Sequence, residues 1–257
     1  MNKTTNILLI GNSFSEDMMM YIPELAREYN ISLDIESLGY PGGSIDQQID
    51  FLTNKKNEYT YRYYNHEKYR WEYKTNVIGN DIINQKHWDY IVIQECSYGS
   101  GQPVGYPRLK EYISLLKLLF NYEVKILWQM TWPYPSYNQF EFFLRDFNGD
   151  EKKMYEGIVN NVKNDVLTNK DIVTVIPSGT SIKNAKEITD EASLYRDPVH
   201  LSFNRGRFLA SLTFMKKIFD IDLTNLETEP MGLNPNLKEQ FKVCVENAIK
   251  NPFEITK

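Results

Sequence analysis

Ser13 stands in the segment Gly11-Asn12-Ser13-Phe14-Ser15, and far downstream comes Asp197-Pro198-Val199-His200. A hydroxyl, an imidazole and a carboxylate are the parts of nucleophilic acyl transfer. The imidazole takes the hydroxyl proton, and the carboxylate fixes the ring tautomer and stabilises the imidazolium. Three residues apart in a tight turn containing proline, Asp197 and His200 can set a carboxylate against one ring nitrogen and leave the other for a serine. Ser13 follows the apolar run 6–10 and precedes a helical pattern, so it belongs in a strand-to-helix turn. Free N–H groups at such a helix start favour an oxyanion. The competing expectation is that Ser13 or Ser15 simply caps the helix. The chain has three histidines, so the base can be sought among all of them. His66 falls in a predicted hairpin and His87 just before a strand, at its amino end, which leaves His200.

Two further segments suit an acyl-transfer site. Gly39-Tyr40-Pro41-Gly42-Gly43-Ser44 follows a strand and opens a helix, so it can present a backbone N–H with no side chain in the way. It is a poor phosphate cradle, having neither G-x-G-x-x-G nor a following lysine. Gln94, at the end of another strand, carries an amide that can donate to an oxyanion or satisfy buried backbone. Trp132, Tyr134 and Tyr137 follow a strand's carboxyl end, where aromatic faces suit a sugar ring or merely close a rigid loop. Arg145 and Arg196 can meet an anionic substrate group, although surface arginines usually serve no such role.

These residues need a frame that brings distant segments to one edge. Apolar runs at 6–10, 33–38, 90–94, 124–130 and 172–176 lack clean alternation and are rich in Ile and Val, which predicts strands buried on both faces, as in a parallel sheet. Helical patterns are expected at 17–28, 45–52, 77–85, 106–120, 151–167, 205–219 and 237–250. The alternation predicts an α/β fold, a three-layer α/β/α sandwich around a five-stranded parallel sheet, with ligands at the strands' carboxyl ends. Residues 1–257 read as a single domain. A Tyr-rich β-hairpin is inserted at about 57–75 and is expected to pack as a flap, rim the site or serve as a contact in a homo-oligomer.

Composition removes other classes. Against 34 acidic residues stand 29 Lys and Arg, a net charge of −5, whereas a nucleic-acid binder shows a basic face. Two cysteines, Cys96 and Cys244, make neither a disulfide framework nor a Cys-rich zinc site, and no metal or cofactor is expected. No run approaches the ~18 apolar residues of a membrane span. The N-terminal apolar run is too short for a signal-peptide core, so a cytoplasmic location is expected.

The order Gly-Asn-Ser-Phe-Ser, then Gly-Gly-Ser, then Gln94 after the third core strand, then Asp-x-x-His resembles the SGNH (GDSL-like) hydrolase superfamily. More narrowly it resembles the DUF4886 branch, which 88–94 (WDYIVIQ), 129–134 (QMTWPY), 176–180 (IPSGT) and 200–202 (HLS) are also like. The resemblance spans roughly residues 5–220 and implies a flavodoxin-like fold. It implies Ser13 as nucleophile, Asp197 and His200 as its partners, and the N–H groups of Ser13 and Gly43 (with Gly42 as the alternative) in the oxyanion hole. Gln94 stands where the broader superfamily has Asn, one methylene longer with the same donor. The expected activity is a serine esterase acting on a small-molecule or carbohydrate ester, with Trp132 and Tyr134 toward substrate. The alternatives are a non-catalytic binding module on the same fold and an acyltransferase.

Overall fold

The computed structural model describes residues 3–256. Seven strands form one sheet: β1 (Thr5–Gly11), β2 (Leu33–Gly39), β3 (Tyr59–Asn65), β4 (Arg70–Val77), β5 (Tyr90–Ile93), β6 (Lys125–Gln129) and β7 (Ile172–Ile176), in the order β4-β3-β2-β1-β5-β6-β7. β2, β1, β5, β6 and β7 pair in parallel, whereas β3 and β4 join antiparallel on the outer side of β2. The sheet is therefore seven-stranded and mixed, not five-stranded and parallel throughout. β1 is central, and its positions 7–11 are buried on both faces, which is why they show no polar alternation.

Among the described residues, ten α-helices surround the sheet: α1 (Ser13–Met19), α2 (Ile22–Glu28), α3 (Ile45–Thr53), α4 (Gly79–Ile83), α5 (Leu109–Phe120), α6 (Glu141–Phe147), α7 (Glu151–Asn161), α8 (Ser178–Lys186), α9 (Gly206–Phe219) and α10 (Pro235–Lys250). From β1 the chain crosses through α1 and α2 to β2 on one side, and from β5 through α5 to β6 on the other. Right-handed crossovers in opposite directions put these helices on opposite faces. α1, α2, α8, α9 and α10 pack together, as do α3, α4 and α5. The helix expected over 17–28 is two, α1 and α2, with a proline in the first turn of the second. The pattern over 151–167 is α7 followed by a single π turn, Val162–Val166.

The Tyr-rich hairpin is part of the sheet rather than a flap. Tyr59 is wholly buried, and its hydroxyl donates to Gln48 Oε1 at 2.6 Å, while the Gln48 amide donates to the Gly11 carbonyl at 3.0 Å. The hairpin is thus tied to the end of the strand that leads into Ser13. Tyr61 donates to Glu36 at 2.5 Å. Tyr69 and Tyr73 stay exposed among Arg70, Glu72 and Lys74 on β4 and the turn before it, charges that discourage edge-to-edge pairing.

Candidate active site

β1 ends at Gly11, and the chain turns at once into α1. A Cβ at Gly11 would sit 2.4 Å from Ser15 Oγ and would displace that hydroxyl from its place beside Gln94. Asn12 is the cap: its Oδ1 accepts from the Phe14 N–H at 3.0 Å. Neither serine is needed as a cap. Ser15 donates instead to Gln94 Oε1 at 3.1 Å, and the Ser13 hydroxyl lies 2.9 Å from His200 Nε2. On the other side of the ring, His200 Nδ1 lies 2.8 and 3.0 Å from the two oxygens of Asp197. Three side chains drawn from the two ends of the chain form one hydrogen-bonded row.

The turn bearing this row is heavily fixed. Asp197 Oδ1 accepts the backbone N–H groups of Val199 and His200, each at 2.8 Å. Burial pushes the Asp197 carboxyl up, but these two N–H donors and the His200 ring outweigh it and hold the group below the usual carboxylate range. Asp197 is therefore a carboxylate near neutral pH. The Arg196 N–H donates to the His200 carbonyl at 3.0 Å, and Tyr195 bridges to Leu201, closing the loop on itself.

His66 lies on Asp34 near the start of β2, and His87 stacks on Tyr122 ahead of β5, with ring centroids 4.3 Å apart. Both are at the amino ends of the strands, away from the row. Cys96 and Cys244 are buried, and burial raises both thiols, that of Cys244 to about 12.

Asn12 gathers the other expected residues. Its amide donates to the Gly43 carbonyl at 3.0 Å, and its Oδ1 accepts from the Gln94 amide at 2.6 Å. Gly43 and Gln94 thus stand beside the Ser13 turn, but the Gly43 N–H and one amide hydrogen of Gln94 are engaged. The Gly43 N–H closes a β-turn onto the Tyr40 carbonyl at 2.9 Å, with Gly42 at φ +64. The expectation of a free Gly43 N–H is corrected accordingly. Gln94 keeps one of its two amide hydrogens beyond the bond to Asn12. The Ser13 N–H opens α1, where the helix offers it no acceptor.

A family profile described as a domain of unknown function (DUF4886) matches residues 6–245. The chain belongs to the DUF4886 family. A DUF4886 family protein from Bacteroides uniformis ATCC 8492 superposes with a TM-score of 0.87 at 25% identity, over 99% of this chain and 98% of that one. A member of the lipolytic G-D-S-L family from Veillonella parvula DSM 2008 superposes with a TM-score of 0.52 at 12% identity, over 85% and 100%, and shares the fold. No curated protein matches the chain in sequence.

In this DUF4886 chain the two aromatics expected to face substrate do not. Trp132 is 0% exposed and Tyr134 2%. Trp132 stacks on Phe14 at 4.1 Å, and its indole N–H donates to the Val199 carbonyl at 3.2 Å. Tyr134 donates to Ser97 at 2.7 Å. Each ring spends its polar end on the scaffold and has no open face. Trp132 instead holds the turn that carries His200, as does Asn138, whose amide donates to the Pro198 carbonyl at 2.6 Å. Arg145 is taken by Asp146, and Arg196 by Asp17 and the Leu201 carbonyl.

Asp17, which sequence patterning passes over, is the clamp between the two halves of the site. It is wholly buried in α1, four residues after Ser13. Its Oδ1 accepts from Arg196 and Arg207 at 2.8 and 2.7 Å, and its Oδ2 from the Leu201 N–H at 2.8 Å. Asp17→Ala leaves two guanidinium groups facing a buried gap and should cost about 3–5 kcal/mol of stability. Urea unfolding reads this as a lower midpoint, and an unchanged midpoint would contradict the clamp. On its other side α1 meets the hairpin through Glu16, 2.5 Å from Arg62 on β3. Burial raises the Glu16 carboxyl, and Arg62 opposes that shift.

Proposed function

We propose that the chain is a serine esterase that removes a short acyl group, most simply acetyl, from a small hydroxylated compound or carbohydrate. The observation that carries this reading is the row Ser13–His200–Asp197 at 2.9 and 2.8 Å. Ser13 Oγ attacks the ester carbonyl while His200 Nε2 takes its proton. The tetrahedral intermediate expels the alkoxide, which receives that proton from the imidazolium. Water, deprotonated by the same nitrogen, then attacks the acyl-serine; the C–Oγ bond breaks, the acid leaves, and Ser13 Oγ takes the proton back from the imidazolium. The Ser13 N–H and the second amide hydrogen of Gln94 hold the oxyanion, each worth about 3 kcal/mol of barrier. Gly43 contributes by fixing the turn behind Asn12.

Turnover of p-nitrophenyl acetate tests this reading, and its pH dependence follows from the site. Asp197 has its pKa lowered, so it stays ionised as the pH falls through the imidazole range. Taking the proton of Ser13 requires a neutral imidazole, so protonating His200 removes the base. The value of kcat/KM should rise with pH along a single-proton limb to a plateau. A flat profile, or no turnover by folded protein, would contradict the mechanism.

A further inference from the structure

Ser15, buried in the first turn of α1, takes no part in the acyl transfer itself, yet its hydroxyl donates to Gln94 Oε1 at 3.1 Å. The bond bears on the reaction because an amide side chain can sit either way round. Its partners decide which end, NH₂ or oxygen, faces the Ser13 turn.

Here the choice is fixed from the backbone outward. The Phe14 N–H can only donate, so the Asn12 atom that meets it at 3.0 Å is Oδ1. The Gly43 carbonyl can only accept, so the Asn12 atom 3.0 Å from it is Nδ2. Asn12 Oδ1 therefore takes a donor from Gln94. That sets Gln94 Nε2 against it at 2.6 Å and turns Oε1 away, onto the Ser15 hydroxyl. A reversed Gln94 would press two amide oxygens together at Asn12. Asn12 thus decides the polarity of the amide, and Ser15 holds its far end so that the amide plane cannot swing about the bond to Asn12. Asn12, Ser15 and Gln94 are each 1% exposed, so solvent does not replace a lost partner. Gly11 leaves the room for this pair, since a Cβ there would meet Ser15 Oγ at 2.4 Å and Gln94 Cγ at 3.3 Å.

We propose that Ser15 is a positioning residue of the oxyanion hole. Its hydroxyl holds the Gln94 amide so that Nε2, with the hydrogen not given to Asn12, stays on the Ser13 side. The proposal rests on Gln94 being an oxyanion donor in the esterase reading. Ser15 acts through Gln94 rather than on the substrate. The charge that Gln94 meets develops only in the transition state, so loss of Ser15 falls on kcat.

A double-variant cycle on p-nitrophenyl acetate tests this. Ser15→Ala should lower kcat about tenfold, the scale of one hydrogen bond, with KM changed by less than about twofold. Gln94→Ala should lower kcat about 10²-fold. Ser15→Ala added to Gln94→Ala should cost less than about twofold more, because the group it acts through is gone. The Ser15 N–H closes onto the Asn12 carbonyl at 3.0 Å whatever the side chain, so α1 keeps its first turn in the alanine variant. A kcat within about threefold of native for either single variant, or losses that multiply in the double variant, would overturn the proposal and leave the esterase reading standing. Hydrogen exchange of the Gln94 side-chain amide reads the lock without chemistry, by comparing Ser13→Ala with Ser13→Ala/Ser15→Ala. Exchange should be about tenfold faster in the second. That acceleration, in a protein whose native form turns over no ester, would support the lock and count against the esterase alone. Equal exchange in the two would overturn the lock.

Discussion

Ser13→Ala should lower ester turnover by roughly 10⁶-fold, the scale seen when the serine of a Ser-His-Asp set is removed. The residual rate should be that of an oxyanion site acting without a nucleophile. The substitution is clean because Ser13 does not hold the fold. Asn12 caps α1, and the Ser13 hydroxyl has the His200 ring as its side-chain partner. Loss of that one bond costs about 1 kcal/mol, so the far-UV spectrum and urea midpoint should stay close to those of the native chain. Turnover within tenfold of the native rate would remove Ser13 from the reaction.

Asp197→Asn should cost about 10⁴-fold in kcat, through the tautomer rather than the fold. Asp197 Oδ1 already accepts two backbone N–H groups, from Val199 and His200. An asparagine keeps those bonds only with its carbonyl oxygen in that place. Its NH₂ then takes the position of Oδ2, 2.8 Å from His200 Nδ1. Nδ1 must accept instead of donate, the ring proton moves to Nε2, and Nε2 can no longer take a proton from Ser13. Steady-state kinetics should show the loss in kcat with little change in KM. A variant within tenfold of the native kcat would show that Asp197 does not set the tautomer.

The parts of the fold legible from sequence were those whose burial leaves a periodic trace. β1 and β5 announce themselves as short apolar runs because both faces are covered, whereas β2 alternates buried and half-buried positions. α8 does not, because Ser178 to Ala185 are all buried and no polar face repeats every turn. α6 is one short helix whose aromatics give no clear stripe. The Tyr-rich hairpin is recognisable by alternation, but its ladder onto β2 and the bond of Tyr59 to Gln48 on α3 are long-range contacts no local pattern encodes.

At the site, Ser13, Asp197 and His200 could be picked out because their chemistry is specific and histidines are few. Hydrogen-bond direction could not be read the same way. A glycine-rich turn looks open to an oxyanion until its N–H is seen closing onto Tyr40. Trp132 and Tyr134 look like stacking surfaces because aromatic residues serve cores and ligands alike, and only burial separates the two. Asp17 reads as an ordinary acidic residue near a helix start, yet its partners lie some 180 residues away, at Arg196, Leu201 and Arg207.

The most direct measurement of the central claim is the mass of the native protein after exposure to a fluorophosphonate, followed by mapping of the modified peptide. One adduct per chain is expected, on Ser13, absent from Ser13→Ala and from the urea-unfolded protein. Folded native protein that gains no adduct, or gains it on another residue, would contradict the assignment of Ser13 as an activated nucleophile.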